Sequence, residues 1–349
     1  MKKKVRYSNM ELLRIVAMFL VLLVHADFFS LGAPEVTDCM NDTFNSALKV
    51  YFEAVSIACV DIFVCLSGWF GIKASFRGFS NFVFQCLFWL IGLYIATLLL
   101  GLSKISVDGI KGCFALTKLN WFIKAYALLY ILSPVLNVFA ETANKKLFKQ
   151  VLISFFIFEL IYGWIFSGST EHIQAGYSTI SFVGLYLLVR FINIHKPTIS
   201  MFPKSYYAYY IVISPILITI AYVTPPILGI KTIDLGILWI NYLSPYCISY
   251  ALAMILYFSK LNIQNKCINW IAASSFAVFL LHTNPNIVWH YKDFFLSLYN
   301  RLDSMLYWFI TFGILLLVFI VALLIDQLRI ITWAYFYNNF LYKYDKNYK

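Results

Sequence analysis

Charged residues are scarce in this sequence of 349 residues. Asp, Glu, Lys and Arg make up 12% of the chain, about half the share that soluble domains carry, while apolar residues reach 62%. This composition excludes an ordinary water-soluble fold and indicates a polytopic membrane protein. The net charge of +11 does not indicate a nucleic-acid partner, because the basic residues are scattered among apolar blocks and form no stripe or patch.

The sequence also lacks the usual motifs of soluble enzymes. It has no P-loop, dinucleotide fingerprint, Gly-x-Ser-x-Gly elbow or His-Glu-x-x-His motif where one could act. The seven cysteines are odd in number, lie mostly in apolar stretches and show no metal-ligand spacing. We therefore expect no zinc site, no disulfide framework and no permanently bound cofactor.

Apolar blocks long enough to cross a bilayer recur along the whole chain, separated by short polar connections. They predict an all-α fold of ten transmembrane helices, covering residues 11–31, 49–71, 80–102, 119–139, 150–167, 177–194, 206–226, 236–259, 270–290 and 305–326. No loop is long enough to fold separately. We therefore predict one membrane domain over residues 8–330, followed by a basic and aromatic tail over residues 331–349 that suits the headgroup layer.

The distribution of basic residues predicts the orientation of the chain in a cytoplasmic membrane. With both termini in the cytoplasm, 19 of the 27 Lys and Arg residues fall on the cytoplasmic side. The other eight fall outside: Lys49, Lys104, Lys111, Lys118, Lys124, Lys231, Lys292 and Arg301.

Two ionisable residues share the first apolar block, where ten residues separate Arg14 from His25. That offset is close to three helical turns, so both lie near one stripe, roughly 16 Å apart along the axis. An ionisable group deep in a bilayer costs roughly 3 kcal/mol and is a candidate for function. A neutral imidazole is suited to act as a general base, and a guanidinium to bind phosphate. The alternatives are a buried histidine satisfied by a neighbouring helix and an arginine that anchors the first helix.

An aspartate interrupts the second apolar block, in Val60-Asp61-Ile62-Phe63. A carboxylate there needs a partner, so Asp61 either orients His25 or holds the second helix to another helix. Farther along the same block, Ser67-Gly68 predicts a close approach between helices.

Basic residues follow this block in a short cytoplasmic loop. Lys73 and Arg77 either bind the phosphates of a cytosolic donor or serve only as determinants of topology.

A second deeply placed histidine, His282, lies in the ninth block and is followed by Thr283-Asn284-Pro285. These polar neighbours, and the backbone acceptors freed by the proline, indicate a helix that lines a cavity. A core histidine in a satisfied network explains the pattern equally well. Trp121 opens the fourth block.

The order and spacing of four stretches resemble the membrane acyltransferase-3 family over residues 8–330. The stretches are Glu11-Leu12-Leu13-Arg14-Ile15 through His25, Val60-Asp61-Ile62-Phe63 to Ser67-Gly68, Trp121 to Pro134, and Ser275-Phe276 to Leu281-His282. The signature of an arginine, ten residues and a histidine is the most specific part of the resemblance.

The resemblance implies a ten-helix enzyme that moves an acyl group, commonly acetyl from cytoplasmic acetyl-CoA, to a hydroxyl of a surface carbohydrate. Arg14 and His25 match the family's essential pair. The family often carries Arg-x-x-Arg after the second helix, whereas here the loop reads Lys73-Ala74-Ser75-Phe76-Arg77, so Lys73 would have to substitute.

Three sets of site residues are therefore predicted. We expect His25 and Asp61 to be catalytic. The donor-binding set is Arg14, Lys73 and Arg77. The acceptor-binding set is Trp121, His282 and Asn284, and no metal ligands are predicted.

The leading hypothesis is an O-acetyltransferase acting on a bacterial surface glycan, with His25 as a general base or as a covalent carrier of the acyl group. One alternative is a proton-coupled transporter or flippase of glycan or lipid intermediates. Transporters favour repeated halves with broken helices, which this sequence does not show. Another alternative is an assembly scaffold that needs neither histidine. The sequence leaves the acceptor sugar and the oligomeric state open.

Overall fold

The computed structural model describes residues 7–114, 120–166 and 173–342, and all regular structure in these residues is helical. The expected all-α class is therefore confirmed. The α-helices are α1 Ser8–Ala26, α2 Phe28–Leu31, α3 Val36–Asn41, α4 Thr43–Ser56, α5 Cys59–Phe70, α6 Phe76–Leu99, α7 Val107–Phe114, α8 Trp121–Thr142, α9 Lys145–Glu159, α10 Thr179–His195, α11 Lys204–Ile227, α12 Asp234–Trp239, α13 Pro245–Ser259, α14 Lys266–His282, α15 Val288–Tyr299 and α16 Ser304–Phe336. Residues 2–6, Lys118 and residues 343–349, which entered the orientation and tail predictions, lie outside the described residues.

Seven helical segments in the described part of the chain are long and apolar enough to cross a membrane. The remaining three predicted blocks contain the shorter apolar helices α10, α13 and α14. Most side chains of α10 and α13 are buried, so protein encloses much of these short helices. The chain is a multi-pass membrane protein, and the count of ten crossings and the cytoplasmic position of both termini stay predictions.

Two predicted blocks, 236–259 and 270–290, are wrong as continuous helices. Ser244 caps α13 and Pro245 occupies its first turn, so α12 is a separate short helix. A turn that contains Pro285 separates α14 from α15. In both places a proline, which cannot donate a backbone hydrogen bond, sets the boundary. The last block was predicted to end at residue 326, but its helix α16 continues to Phe336. No helix boundary therefore lies at residue 330, the predicted end of the membrane domain.

The first helix lies at the centre of the bundle, where it packs against α4, α5, α13 and α14. Hydrogen bonds fix both of its ends. At one end the Asn9 amide donates to the Phe258 carbonyl over 2.9 Å. At the other end the hydroxyls of Tyr291 and Tyr307 donate to the carbonyls of Leu22 and Ala26 over 2.8 and 3.0 Å. Arg14 and His25 are therefore held toward opposite ends of the molecule.

The predicted close approach at Gly68 is confirmed. Gly68 on α5 faces the backbone of α10, where an added Cβ atom would lie 2.7 Å from the Tyr186 carbonyl oxygen. Only a residue without a side chain lets these two helices meet at this distance.

Candidate active site

Two histidines from distant parts of the chain meet inside the bundle. His25 lies near the end of α1 and His282 at the end of α14, and the Nε2 atom of His282 is 3.3 Å from the Nδ1 atom of His25. Each Nδ1 atom also faces a carbonyl oxygen of its own helix, Val21 at 2.7 Å for His25 and Val278 at 2.6 Å for His282.

These contacts determine where each neutral imidazole carries its proton. A carbonyl oxygen only accepts hydrogen bonds, so the proton of each ring is on Nδ1 and the lone pair is on Nε2. The lone pair of His282 then faces the Nδ1–H group of His25. When His25 gains a second proton on Nε2, His282 supplies an acceptor beside the new positive charge.

Among the described residues, the hydrogen-bond partners of His25 do not include Asp61. Its Oδ2 atom accepts a hydrogen bond from the thiol of Cys247, with the sulfur 3.3 Å away. This contact links α5 to α13, which is the second of the two roles that the sequence left open for this carboxylate. The histidine pair, rather than a histidine and an aspartate, forms the centre of the site.

An outer cavity of about 500 Å³ opens beside His25. Its wall includes the predicted acceptor residue Trp121, together with Tyr177 and Tyr242. These three aromatic rings contact one another, with Trp121 and Tyr177 centroids 4.5 Å apart and Tyr177 and Tyr242 centroids 5.0 Å apart. One carboxylate, that of Glu53, also lines the cavity.

The other two predicted acceptor residues are not part of the outer cavity's described wall. His282 is almost fully buried behind His25. Asn284 lies in the turn after α14, where its Oδ1 atom accepts a hydrogen bond from the backbone N–H of Asn286 over 3.0 Å. The structure thus brings His282 into contact with His25, although not into the described wall of the cavity.

A second, inner cavity of about 410 Å³ lies on the Arg14 side of the molecule. The guanidinium donates to Glu11 at 2.6 Å, and the side chain is 34% exposed. A guanidinium carries five N–H donors, so one ion pair leaves donors available for an anionic ligand. Ser67, Asn81 and Gln85 add polar groups to the same wall.

The two amides of this wall are held by a buried ion pair that the sequence did not reveal. Arg329 binds both carboxylate oxygens of Asp326, at 2.9 and 2.6 Å. Gln85 donates to the same carboxylate at 3.3 Å, and Arg329 donates to Asn81 at 3.4 Å. Both partners of the pair lie on α16, three residues apart, and their spacing on an otherwise apolar helix was the available signal.

Lys73 and Arg77 lie outside the inner cavity's described wall. Both side chains are exposed, and the Arg77 guanidinium lies over the Tyr337 ring at 4.5 Å. Lys73 lies in the connection after α5 and Arg77 in the first turn of α6. This connection is at the Arg14 end of the molecule, because Tyr7, just before α1, and Phe70, at the end of α5, have ring centroids 5.9 Å apart.

One aromatic side chain, Phe122, lines both cavities. Its ring lies 5.8 Å from the ring of Tyr126, which faces the inner cavity, and 5.2 Å from that of Phe279, which faces the outer one. A thin layer of rings therefore separates the guanidinium side from the imidazole side. We call Phe122, Tyr126 and Phe279 the aromatic partition.

No group of three or more His, Cys, Asp or Glu residues in the described ranges is arranged to hold a metal ion. The site is defined instead by an arginine cavity and a histidine cavity on either side of the aromatic partition, within a multi-pass helical membrane protein. The family model for the acyltransferase domain matches residues 7–326. The chain belongs to the acyltransferase-3 family and is an acyltransferase, so the resemblance seen in the sequence is confirmed. No curated protein and no solved structure matches it.

Proposed function

We propose that this protein transfers an acyl group, most simply acetyl, from cytoplasmic acyl-CoA to a hydroxyl of a cell-surface polysaccharide or its lipid-linked unit. The observation that carries the proposal is the separation of Arg14 and His25 into two cavities that meet at Phe122. Acyl transfer across a membrane requires one site for an anionic donor and another for a hydroxyl acceptor. Both kinds of site are built around one helix.

The inner cavity suits the donor. CoA carries several phosphate charges, and Arg14 offers guanidinium donors on that side. The amides of Asn81 and Gln85 can bind the polar pantetheine chain. In this arrangement the thioester reaches the aromatic partition while the nucleotide stays in the cytoplasm. The partition must move aside for the acyl group to reach His25.

His25 serves as the general base in the proposed reaction. The acceptor oxygen attacks the thioester carbonyl carbon while the Nε2 atom of His25 takes the hydroxyl proton. A C–O bond forms and the C–S bond breaks, and the thiolate leaves with the electron pair. His25 then returns the proton to the sulfur, giving the ester and free CoA. His282 stabilises the transient imidazolium through the 3.3 Å contact between the two rings.

The predicted orientation, with both termini in the cytoplasm, fits a donor in the inner cavity and an acceptor in the outer cavity. It puts Arg14 near the cytoplasmic face, where CoA is available, and puts His25 toward the outer face of the cytoplasmic membrane, where glycan is available.

The decisive experiment supplies radiolabelled acetyl-CoA to the cytoplasmic face of vesicles and measures label in extracted glycan. We expect His25→Ala to reduce transfer by at least about a hundredfold, the lower end of what a general base contributes. His195→Ala is the matched control, because His195 on α10 packs against Phe148 and Phe191 and is not in the described wall of either cavity. Undiminished transfer by His25→Ala would exclude the mechanism. Substrate-dependent proton flux without any acyl donor would favour the transporter instead.

A further inference from the structure

The buried ion pair on α16 contacts two amide side chains that line the inner cavity. The Asp326 carboxylate is fully buried and binds Arg329 through both of its oxygens, at 2.9 and 2.6 Å. Its Oδ1 atom also accepts hydrogen bonds from the Gln85 amide at 3.3 Å and from the Trp89 indole at 3.4 Å. Arg329 in turn donates to the Oδ1 atom of Asn81 at 3.4 Å. Each amide therefore contacts one partner of the ion pair.

The charges of the pair leave each amide a single orientation. A carboxylate accepts hydrogen bonds and a guanidinium only donates them, so Gln85 turns its NH2 group toward Asp326, and Asn81 turns its carbonyl toward Arg329. The opposite ends of the two side chains, Oε1 of Gln85 and Nδ2 of Asn81, have no hydrogen-bond partner among the described residues. Neither of these atoms is buried without a partner, so both are accessible in the cavity that their residues line. The wall thus offers a donor from Asn81 and an acceptor from Gln85.

The two amides follow each other along the cavity wall. Asn81 and Gln85 are four residues apart on α6, so they share one face of the helix and lie about 6 Å apart along its axis. The connection before α6 is at the Arg14 end of the molecule, so Asn81 lies nearer that end and Gln85 lies one turn deeper in the bundle. From the Arg14 end inward, the wall presents a donor and then an acceptor.

The pantetheine arm of CoA carries complementary groups in the same order. Between the nucleotide and the sulfur it contains an outer and an inner secondary amide, and in each the carbonyl precedes the N–H group. The carbonyl of the outer amide and the N–H group of the inner amide are separated by about 6 Å when the arm is extended. This separation equals the spacing of the two amides on α6. A carbonyl needs a donor and an N–H group needs an acceptor, as the wall provides.

We propose that Asp326 and Arg329 are positioning residues for the acyl donor. They hold Asn81 so that it donates to the carbonyl of the outer pantetheine amide, and they hold Gln85 so that it accepts from the N–H group of the inner one. This inference rests on the proposed acyl-transfer function and identifies the part of the donor that the inner wall recognises. Arg14 binds phosphate, and the two amides fix the depth at which the thioester stops in front of the aromatic partition.

The test compares acetyl-CoA with two analogues, each of which has an ester oxygen in place of the N–H group of one pantetheine amide. Acetyl transfer to glycan is measured in the vesicles described above, and kcat/KM is determined for each donor. The substitution removes one hydrogen-bond donor and leaves the thioester, the nucleotide and the charge unchanged. Preference among the donors within one variant therefore reports on the contact to that N–H group.

The variants are Gln85→Leu, Asn81→Leu and the double variant Asp326→Leu with Arg329→Met. The double variant removes both charges together, because loss of one alone would leave the other buried and unpaired. Gln327→Leu is the matched control: Gln327 lies beside Asp326 on α16, donates to Ser274 at 3.1 Å and is not in the described wall of the inner cavity. Thermal unfolding checks that each variant is folded, and Gln85→Leu leaves the ion pair intact, so it decides the inference even where the double variant does not fold.

We expect wild type to use the analogue altered at the inner amide about fivefold less well than acetyl-CoA, which is the effect of losing one neutral hydrogen bond. The analogue altered at the outer amide should be used nearly as well as acetyl-CoA. Gln85→Leu and the double variant should lose this preference, because the acceptor is absent in one and free to turn in the other. Asn81→Leu should lower kcat/KM for all three donors about fivefold and keep the preference. Gln327→Leu should behave as wild type.

The inference would be overturned if wild type used all three donors equally, if Gln85→Leu or the folded double variant kept the wild-type preference, or if Gln327→Leu lost it. A merely structural role for the ion pair would lower activity with every donor alike and leave the preference unchanged. Any of these outcomes, with transfer from acetyl-CoA that still depends on His25, would contradict this inference alone. Absence of His25-dependent transfer would contradict the proposed function as well.

Discussion

The two cavities along α1 differ in almost every property that decides what they can bind. The inner cavity has a guanidinium that is one third exposed, two amides and the hydroxyl-bearing residues Ser67, Tyr126 and Ser275. The outer cavity has a histidine backed by a second histidine, aromatic walls and a carboxylate. The inner cavity therefore offers a permanent positive charge, while the described wall of the outer cavity contains no Lys or Arg. A single helix can present both because three turns separate Arg14 from His25.

Arg14 and His25 also differ in how costly each is to bury, and each lies at a depth in the bundle that suits it. Arginine is always charged, and it lies near one end of the bundle where its side chain is partly exposed. Histidine can stay neutral, so it is less costly to place away from water. The reverse order would bury a permanent charge beside the aromatic partition.

After the loss expected for His25→Ala, the largest effect should come from mutation of Arg14, at the other end of α1. We expect Arg14→Ala to lower kcat/KM for acetyl-CoA by about ten- to a hundredfold, the range for losing hydrogen bonds to a charged group, and to leave the acceptor KM unchanged. Steady-state kinetics with each substrate varied in turn would check this. Arg301→Ala, an exposed arginine near the start of α16, is the control.

If Arg14→Ala raised the KM for the acceptor as much as the KM for acetyl-CoA, the two cavities would not bind the two substrates separately. Arg14→Lys refines the test. It keeps the charge and loses the planar fork, so an intermediate effect is expected if phosphate is bound by paired hydrogen bonds.

The next effect concerns the histidine pair at the outer end. We expect His282→Leu to lower kcat about tenfold without changing either KM, because the imidazolium of His25 loses its acceptor. His282→Gln should recover most of the activity, since its side-chain carbonyl can accept from the Nδ1–H group of His25. Equal losses in both variants would mean that His282 acts only through packing.

A smaller effect should follow from opening the aromatic partition. Phe122→Ala joins the two cavities, and we expect severalfold more acetyl-CoA hydrolysis in the absence of acceptor as water reaches the thioester. Phe122→Leu keeps most of the bulk and should hydrolyse little. If hydrolysis stays at the wild-type rate in Phe122→Ala, the ring does not separate the two sides.

Several of these features were readable from the sequence because their signals are local. Helical periodicity alone puts Arg14 and His25 on one stripe three turns apart. The Ser67-Gly68 step indicated the close approach to α10 that the structure contains. Long apolar blocks indicated a helical membrane fold. In each case the evidence lies within one helix or one turn.

The contacts that define the chemistry were not readable, because they join distant parts of the chain. His25 and His282 are 257 residues apart, and Asp61 and Cys247 are 186 apart. The sequence left two roles open for Asp61, as a partner of His25 or as a link between helices, whereas the fold supplies a histidine as the partner of His25. Glu53 carried no distinctive spacing, although the fold puts it in the wall of the outer cavity.

The smallest effect should come from Lys73 and Arg77, and it tests how far the proposed donor site extends beyond the inner cavity. Both are exposed, and an exposed charge contributes at most about 1 kcal/mol, so neutralising either one should raise the KM for acetyl-CoA no more than about fivefold. The effect should fade as salt is raised, because exposed charges are screened. Lys204→Gln, at the start of α11, is the matched exposed control. A hundredfold loss that resists salt would instead mean that the loop closes over the donor phosphates, and the inner site would then be larger than the cavity around Arg14.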